Sequence, residues 1–211
     1  SVAIAGLSNF YFFYMIGVLM VIYAIFRYFD QFVDHSLKNI GKWIGIFAIY
    51  SVIAVLIAAV ILLPVMLPVL GTDRFNVENY VPLFYDKIYY EKYLGCLIGE
   101  DMIQWGAAGF SAVSMAGVFV LFAKKKKYTV LKAGFILLNL FLLIPYAGHV
   151  LNGFSYVCNR WIWAYAMLIA YIFVKIYPEL FSLTQKEKQK IFVMMLVYCG
   201  VAILPEAART Q

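Results

Sequence analysis

Trp43-Ile-Gly-Ile-Phe-Ala-Ile-Tyr-Ser-Val-Ile-Ala-Val-Leu-Ile-Ala-Ala-Val-Ile-Leu-Leu-Pro-Val-Met-Leu-Pro-Val-Leu-Gly-Thr72 carries no charged side chain. A helix crossing the hydrocarbon core of a bilayer needs roughly 20 apolar residues, so this stretch is longer than one span requires. The rest of the chain is built alike. Of 211 residues, 65% are hydrophobic, 18% aromatic and 13% charged, and the mean hydropathy is +0.86. A soluble domain carries about 25% charge, and one of this length has too little interior to hide so much apolar surface. A cytosolic enzyme, a DNA-binding domain and a disulfide scaffold are thereby excluded. Lipid is the solvent for most of this chain.

Outward from residues 43–72, charges mark off further apolar runs: 1–26, 102–123, 133–159 with a turn inside it, 161–174, and the shorter 191–205. Lipid-exposed backbone has to satisfy its own hydrogen bonds, so the runs are expected to be helices. The expected fold class is all-α: a polytopic transmembrane helical bundle of about six spans with interfacial helices, forming a single membrane domain over 1–211. Arg27–Lys42 places Phe29, Phe32, Val33, Leu37 and Ile40 at helical spacing, which predicts a helix lying on the membrane surface. Tyr80–Ile98 is dense in tyrosine and reads as an interfacial or re-entrant element. Pro64, Pro68 and Pro145 are expected to kink or unwind their spans. The first residues are already apolar, with no basic region and no cleavage site, and do not read as a signal peptide; the end at Glu206-Ala-Ala-Arg-Thr-Gln211 is abrupt, so the chain reads as a segment of a longer protein.

The formal charge of +6 lies in short loops, the membrane pattern, and no nucleic-acid partner is expected. Twelve Lys and Arg fall on one side of the expected spans, including Lys124–Lys127; five, including Arg160, fall on the other. The positive-inside rule puts the richer side in the cytoplasm. The loop 71–104 is then extracytoplasmic, and it carries six of the 11 acids.

Arg160 is the sharpest chemical feature. It sits in Leu151-Asn-Gly-Phe-Ser-Tyr-Val-Cys-Asn-Arg-Trp161, between apolar runs. One reading is an interfacial anchor beside Trp161 and Trp163. The other is an anion site, because a guanidinium binds phosphate through two parallel hydrogen bonds. The Asn152-Gly153 turn can add backbone N–H groups. Asn159 and His149 are the neighbouring candidates for a phosphate, His149 also for moving a proton. Glu100 and Asp101 are candidate catalytic carboxylates, against a plain reading as acids at a helix start. Lys124–Lys127 is expected on anionic lipid. The loop tyrosines are expected as an aromatic belt, with sugar stacking the other use. Gly106, Ala107, Gly109, Ser111, Ser114 and Gly117 suit close helix packing. Cys96, Cys158 and Cys199 have no metal spacing and read as free thiols, and no metal site or cofactor motif is found.

Leu7-Ser-Asn-Phe-Tyr-Phe-Phe-Tyr-Met15, Gly109-Phe-Ser111 up to the lysine run, Gly148-His-Val-Leu-Asn-Gly-Phe-Ser-Tyr-Val-Cys-Asn-Arg-Trp161 and Ala164-Tyr-Ala-Met-Leu-Ile-Ala-Tyr171 resemble the YfhO family of bacterial polytopic membrane proteins. The Gly148–Trp161 block is the most specific part. The resemblance implies a many-span plasma membrane protein and a glycosyltransferase of the GT-C type. Such enzymes take a sugar from a polyprenyl-phosphate carrier on the outer face and place it on a cell-envelope polymer, here implied to be a teichoic acid such as lipoteichoic acid. The family type carries an essential acid in its first outer loop. No motif in this chain matches that acid, and it is expected upstream.

These readings converge on part of an inverting, lipid-sugar-dependent glycosyltransferase in the bacterial plasma membrane, with its site facing outward. Its partners would be the bilayer, a polyprenyl-phosphate-linked sugar as donor substrate, and an envelope polymer as acceptor. Arg160, with Asn159 and His149, would hold the carrier phosphate. A transporter or flippase of lipid-linked sugars, and a non-catalytic membrane scaffold, are the rival readings.

Overall fold

The computed structural model describes residues 10–31, 36–71, 80–99, 102–103, 106–124 and 127–207. Its elements are α1 (Phe10–Gln31), α2 (Leu37–Leu70), α3 (Lys87–Cys96), β1 (Met102–Ile103), β2 (Gly106–Ala107), α4 (Ala112–Ala123), α5 (Thr129–Leu143), α6 (Pro145–Leu151), α7 (Ile162–Ile176), a 3-10 turn (Tyr177–Ser182) and α8 (Gln185–Ala207). The architecture is the expected helical membrane bundle. Among the described residues three helices are long and apolar enough to cross a membrane: Phe12–Gln31, Leu37–Pro68 and Ile162–Ser182. A fourth crossing is added if the bent pair Thr129–Leu143 and Pro145–Leu151 acts as one. The expected count of six is not confirmed among the described residues.

The chain forms two compact units, residues 1–80 with 151–155, and residues 81–150 with 156–211. In the first, Tyr28 of α1 is buried and packs on Trp43 of α2, ring centroids 5.3 Å apart. The surface helix expected over Arg27–Lys42 is not formed as one piece. Residues 27–31 finish α1, residues 37–42 begin α2, and 32–35 lie outside the described residues. Arg27 and Phe29 thus belong to the end of α1, and Leu37, Lys38, Ile40 and Lys42 to the start of α2, and at helix ends long charged side chains can keep their heads in water while their stems cover apolar surface. Pro64 and Pro68 do not end α2, which runs through both. Membrane helices tolerate proline because neighbouring groups take up the freed carbonyls.

In the second unit α4, α5, α7 and α8 pack together around Leu121, Leu142, Tyr165, Ile169, Ile172 and Ile176, all fully buried. Lipid is as apolar as leucine, so such packing gains from close fit rather than from leaving water. Gly117 shows the fit: a Cβ there would come within 3.1 Å of the Phe173 ring. The apolar run 102–123 does not become one span. Its helix is the 12-residue α4, about 18 Å long, too short for a hydrocarbon core of about 30 Å. Ahead of it Met102 pairs with Ala107 and Ile103 with Gly106 in a two-residue antiparallel ladder. Gly109, in the left-handed region at φ +47°, turns the chain. Its N–H and that of Phe110 donate to the carbonyls of Cys96 and Leu97 at the end of α3, 3.1 and 2.7 Å away. Those carbonyls have no partner inside their own helix, so the loop serves them instead of extending α4.

The two ends of this unit differ in chemistry. At the end where α4 finishes and α8 begins, Lys124 reaches Glu179 at 3.3 Å and Glu187 at 3.2 Å, and Lys127 reaches Glu179 at 2.9 Å. The Tyr128 hydroxyl also donates to Glu179, at 3.0 Å. Lys124 and Lys127 thus have partners within the protein rather than lipid alone; Lys125 and Lys126 lie outside the described residues. Thr184 and Glu187 start α8 with a reciprocal cap, the Thr184 N–H donating to Glu187 at 2.9 Å and the Glu187 N–H to Thr184 Oγ1 at 3.4 Å. The opposite end of α5 and α7 holds tyrosines and amides.

Candidate functional site

Two local features of the sequence create the polar end. Pro145 has no N–H and forces the residue before it out of the helical region. Ile144 is accordingly extended, φ −116° and ψ 115°, and the chain turns by 97° between α5 and α6. Pro145 therefore breaks its helix as expected. The break leaves carbonyls at the end of α5 without helical donors. Tyrosines of α3 fill that need. Tyr89 Oη donates to the Leu142 carbonyl at 2.6 Å, and Tyr90 Oη donates to that of Leu143 at 3.0 Å. One helical turn further, Tyr93 Oη donates to Asn139 Oδ1, and Asn139 Nδ2 donates to Tyr165 Oη at 2.7 Å.

The tyrosines at 85, 89 and 93 share one face of α3 and its entry, spaced by four residues. Tyr85 and Tyr89 stack at 3.9 Å. Tyr85 and Tyr93 are buried, whereas Tyr80 is exposed. The expected aromatic belt is thus largely an internal hydrogen-bonding face. Burial pushes the Tyr85 phenol up to about 12, and it pushes Tyr89 and Tyr93 up as well. All three hydroxyls keep their protons at physiological pH.

Asn159 joins this face from the other side. Its side chain is fully buried. Its Nδ2 donates to Tyr85 Oη at 3.4 Å and to Tyr89 Oη at 3.3 Å, while its Oδ1 accepts from Trp161 Nε1 at 3.3 Å. These bonds are long against the usual 2.9–3.0 Å, so number and enclosure hold the amide more than any single contact. Its carbonyl accepts from the Ile162 N–H at 3.0 Å and begins α7. Two glycines make the enclosure. A Cβ on Gly106 would meet the Asn159 carbonyl oxygen at 2.6 Å; one on Gly148 would meet Asn159 Oδ1 at 2.9 Å and the Cys158 carbonyl at 3.1 Å. Gly106 therefore serves backbone approach to Asn159 rather than helix packing.

Arg160 follows directly, exposed, in the turn that leads into α7. His149, on α6 beside Gly148, is half-buried and its ring meets Tyr146 edge-on at 6.5 Å. Asn159 and the α6 segment carrying His149 are thus neighbours through Gly148. Asn159 spends its amide inside the protein and leaves Arg160 as the exposed cation of the group. Gly153 adopts φ +67° and Phe154 φ +56°, so a turn follows Asn152 as its Asn-Gly sequence suggests. Glu100 and Asp101 lie outside the described residues. None of the three cysteines is in a disulfide; Cys96 and Cys158 are buried and Cys199 is exposed. Among the described residues no group of three His, Cys, Asp or Glu is placed to hold a metal ion.

Sequence reasoning missed Tyr85, Tyr89 and Tyr90 as partners of this group. The usable signals were the four-residue tyrosine spacing and the orphan carbonyls that Pro145 had to create.

A family model described as bacterial membrane protein YfhO matches residues 1–208. No curated protein and no solved structure matches the chain.

Proposed function

The chain belongs to the YfhO family of bacterial membrane proteins, and we propose that it forms part of an outward-facing glycosyltransferase that moves a sugar from a polyprenyl-phosphate carrier to a cell-envelope polymer such as lipoteichoic acid. The observation that carries this reading is the exposed Arg160 at the entry to the spanning helix α7, next to an Asn159 locked into a buried polar cluster. Sugar transfer from such a carrier leaves a phosphate whose negative charge grows as the bond breaks. A cation fixed beforehand at that position stabilises the transition state more than the ground state. Arginine suits the task because its planar fork matches phosphate oxygens. The acceptor hydroxyl needs a base, which this reading assigns to a carboxylate upstream of this segment, with Glu100 and Asp101 as the candidates within it.

One feature favours a second reading. Broken helices are common where transporters bind substrate, and α5 and α6 form a helix pair bent by 97° at Pro145. Movement of the lipid-linked sugar across the bilayer is that alternative. Full-length protein reconstituted with a polyprenyl-phosphate sugar and purified lipoteichoic acid separates the two. Labelled sugar should appear on the polymer. Carrier movement between leaflets without transfer would replace the proposal with the transport reading.

A further inference from the structure

We infer that Asn159 is a positioning residue for Arg160, held by Tyr85 and Tyr89, so that α3 belongs to the working parts of the phosphate site; this rests on the reading of Arg160 given above. Arg160 is exposed and long, and an exposed guanidinium has many rotamers to lose on binding. A fixed backbone on its N-terminal side leaves only that side-chain cost to meet, because the main chain is already ordered. The residue that fixes it is Asn159, fully buried, with its amide spanning two tyrosine hydroxyls and the indole of Trp161. Trp161 is fully buried on the other side of Arg160. Arg160 thus lies between two fully buried neighbours, and the amide of one of them is bonded to Tyr89 of α3.

The three tyrosines differ in a way that makes the inference testable. Tyr85 Oη and Tyr89 Oη both receive the Asn159 amide. Tyr89 also caps Leu142. Tyr90 caps Leu143 and accepts from the Tyr85 N–H at 3.2 Å, and its hydroxyl has no part in the bonds made by the Asn159 amide. Tyr90→Phe therefore removes a helix-end cap of the same kind while sparing the amide, and Tyr85→Phe loosens the amide while sparing the caps.

The experiment is binding of geranyl phosphate, a short isoprenyl monophosphate, to the purified full-length protein in detergent. Both Kd and the number of binding sites are measured. A variant that merely unfolds part of the sample lowers the number of sites and leaves Kd unchanged; lost positioning raises Kd. Tyr85→Phe and Tyr89→Phe should each raise Kd by roughly 2–10-fold, the range one net hydrogen bond allows. Tyr90→Phe should keep Kd within twofold. Wild-type Kd in Tyr85→Phe, or an equal rise in Tyr90→Phe, overturns the inference while leaving Arg160 as the phosphate ligand. Unchanged Kd in Arg160→Ala removes the site itself, and the inference with it.

Discussion

The hydroxyl of Tyr89 donates at 2.6 Å to the carbonyl oxygen of Leu142, 53 residues further along the chain. The bond joins α3 to the point where Pro145 breaks the chain between α5 and α6, and the same hydroxyl accepts from Asn159. A helix end in a water-poor setting needs donors for its last carbonyls. Here they come from side chains that also reach the segment carrying Arg160. The break, the tyrosine helix and the arginine turn are therefore one hydrogen-bonded assembly.

Removing the Tyr89 hydroxyl should cost stability out of proportion to its size. Tyr89→Phe leaves the Leu142 carbonyl without that donor and the Asn159 amide with one fewer acceptor. A buried polar group left unsatisfied costs about 1–3 kcal/mol. Thermal unfolding in detergent should show a clear drop for Tyr89→Phe. A melting temperature equal to wild type would mean that another group caps Leu142.

Two glycines should resist the smallest possible change. Gly148→Ala drives a methyl toward Asn159 Oδ1 and the Cys158 backbone, and Gly106→Ala drives one toward the Asn159 carbonyl at 2.6 Å. Neither obstacle is the free end of a flexible chain. Forcing a methyl into such a space costs about 1–3 kcal/mol. Gly45, with nothing within 4 Å of its added Cβ, is the control. Lowered melting temperatures are expected for the first two, with Gly45→Ala unchanged or raised because alanine outranks glycine inside a helix; equal values for all three would contradict the packing.

Much of this was legible in the residues. The all-α membrane class followed from uncharged runs such as 43–72, and the resemblance carried by the Gly148–Trp161 block agrees with the family match. The structure adds why that block has its pattern: Gly148, Asn159 and Trp161 meet in space, so the small residue, the amide and the indole depend on one another. What stayed hidden came from distant pairing. Hydropathy sees 102–123 as one apolar run, but it cannot see that Gly106 lies against Asn159 and that Gly109 and Phe110 serve the end of α3. Likewise, tyrosine density marks an interface without telling that the hydroxyls of Tyr89 and Tyr90 point to Leu142 and Leu143.

Acid should loosen the charged end through Glu187, which precedes the apolar run of α8. Hydrogen bonds from the Thr184 backbone and hydroxyl, opposed by burial and aided by Lys124, hold its carboxyl below the ordinary 4.5. A carboxylate lowered in the folded state contributes stability above its ordinary value, and that contribution is lost as pH falls through the lowered one. Melting temperature should therefore fall less steeply below pH 4.5 in Glu187→Gln than in wild type. Parallel curves would show that the Thr184–Glu187 cap adds nothing that depends on charge.

The two polar ends should face opposite sides of the membrane. Lys124, Lys127, Glu179 and Glu187 gather at one end of α5 and α7, and the tyrosine–Asn159 group at the other. The excess of basic residues on the lysine side predicts that it is cytoplasmic. In full-length protein with Cys199 replaced, a membrane-impermeant thiol reagent should label a cysteine placed at Asn79 in intact cells and leave one at Lys126 unlabelled. The opposite pattern would invert the topology and turn Arg160 to the cytoplasm.

Arg160 itself gives the decisive comparison. An arginine that only anchors the interface needs length and charge, and lysine supplies both. An arginine that grips a phosphate needs its fork, and lysine presents a single compact ammonium in its place. Arg160→Ala should lower sugar transfer by on the order of 10²–10³-fold, as loss of a contact to developing charge does, and Arg160→Lys should recover little of it. Both variants should reach the membrane in normal amounts, because the side chain is exposed. Glycosylated envelope polymer, scored at matched protein levels in cells carrying each full-length variant, is the readout. Near-normal transfer in Arg160→Lys alone would make Arg160 a point charge; near-normal transfer in both would make it an anchor, and the phosphate would have to be sought elsewhere in the chain.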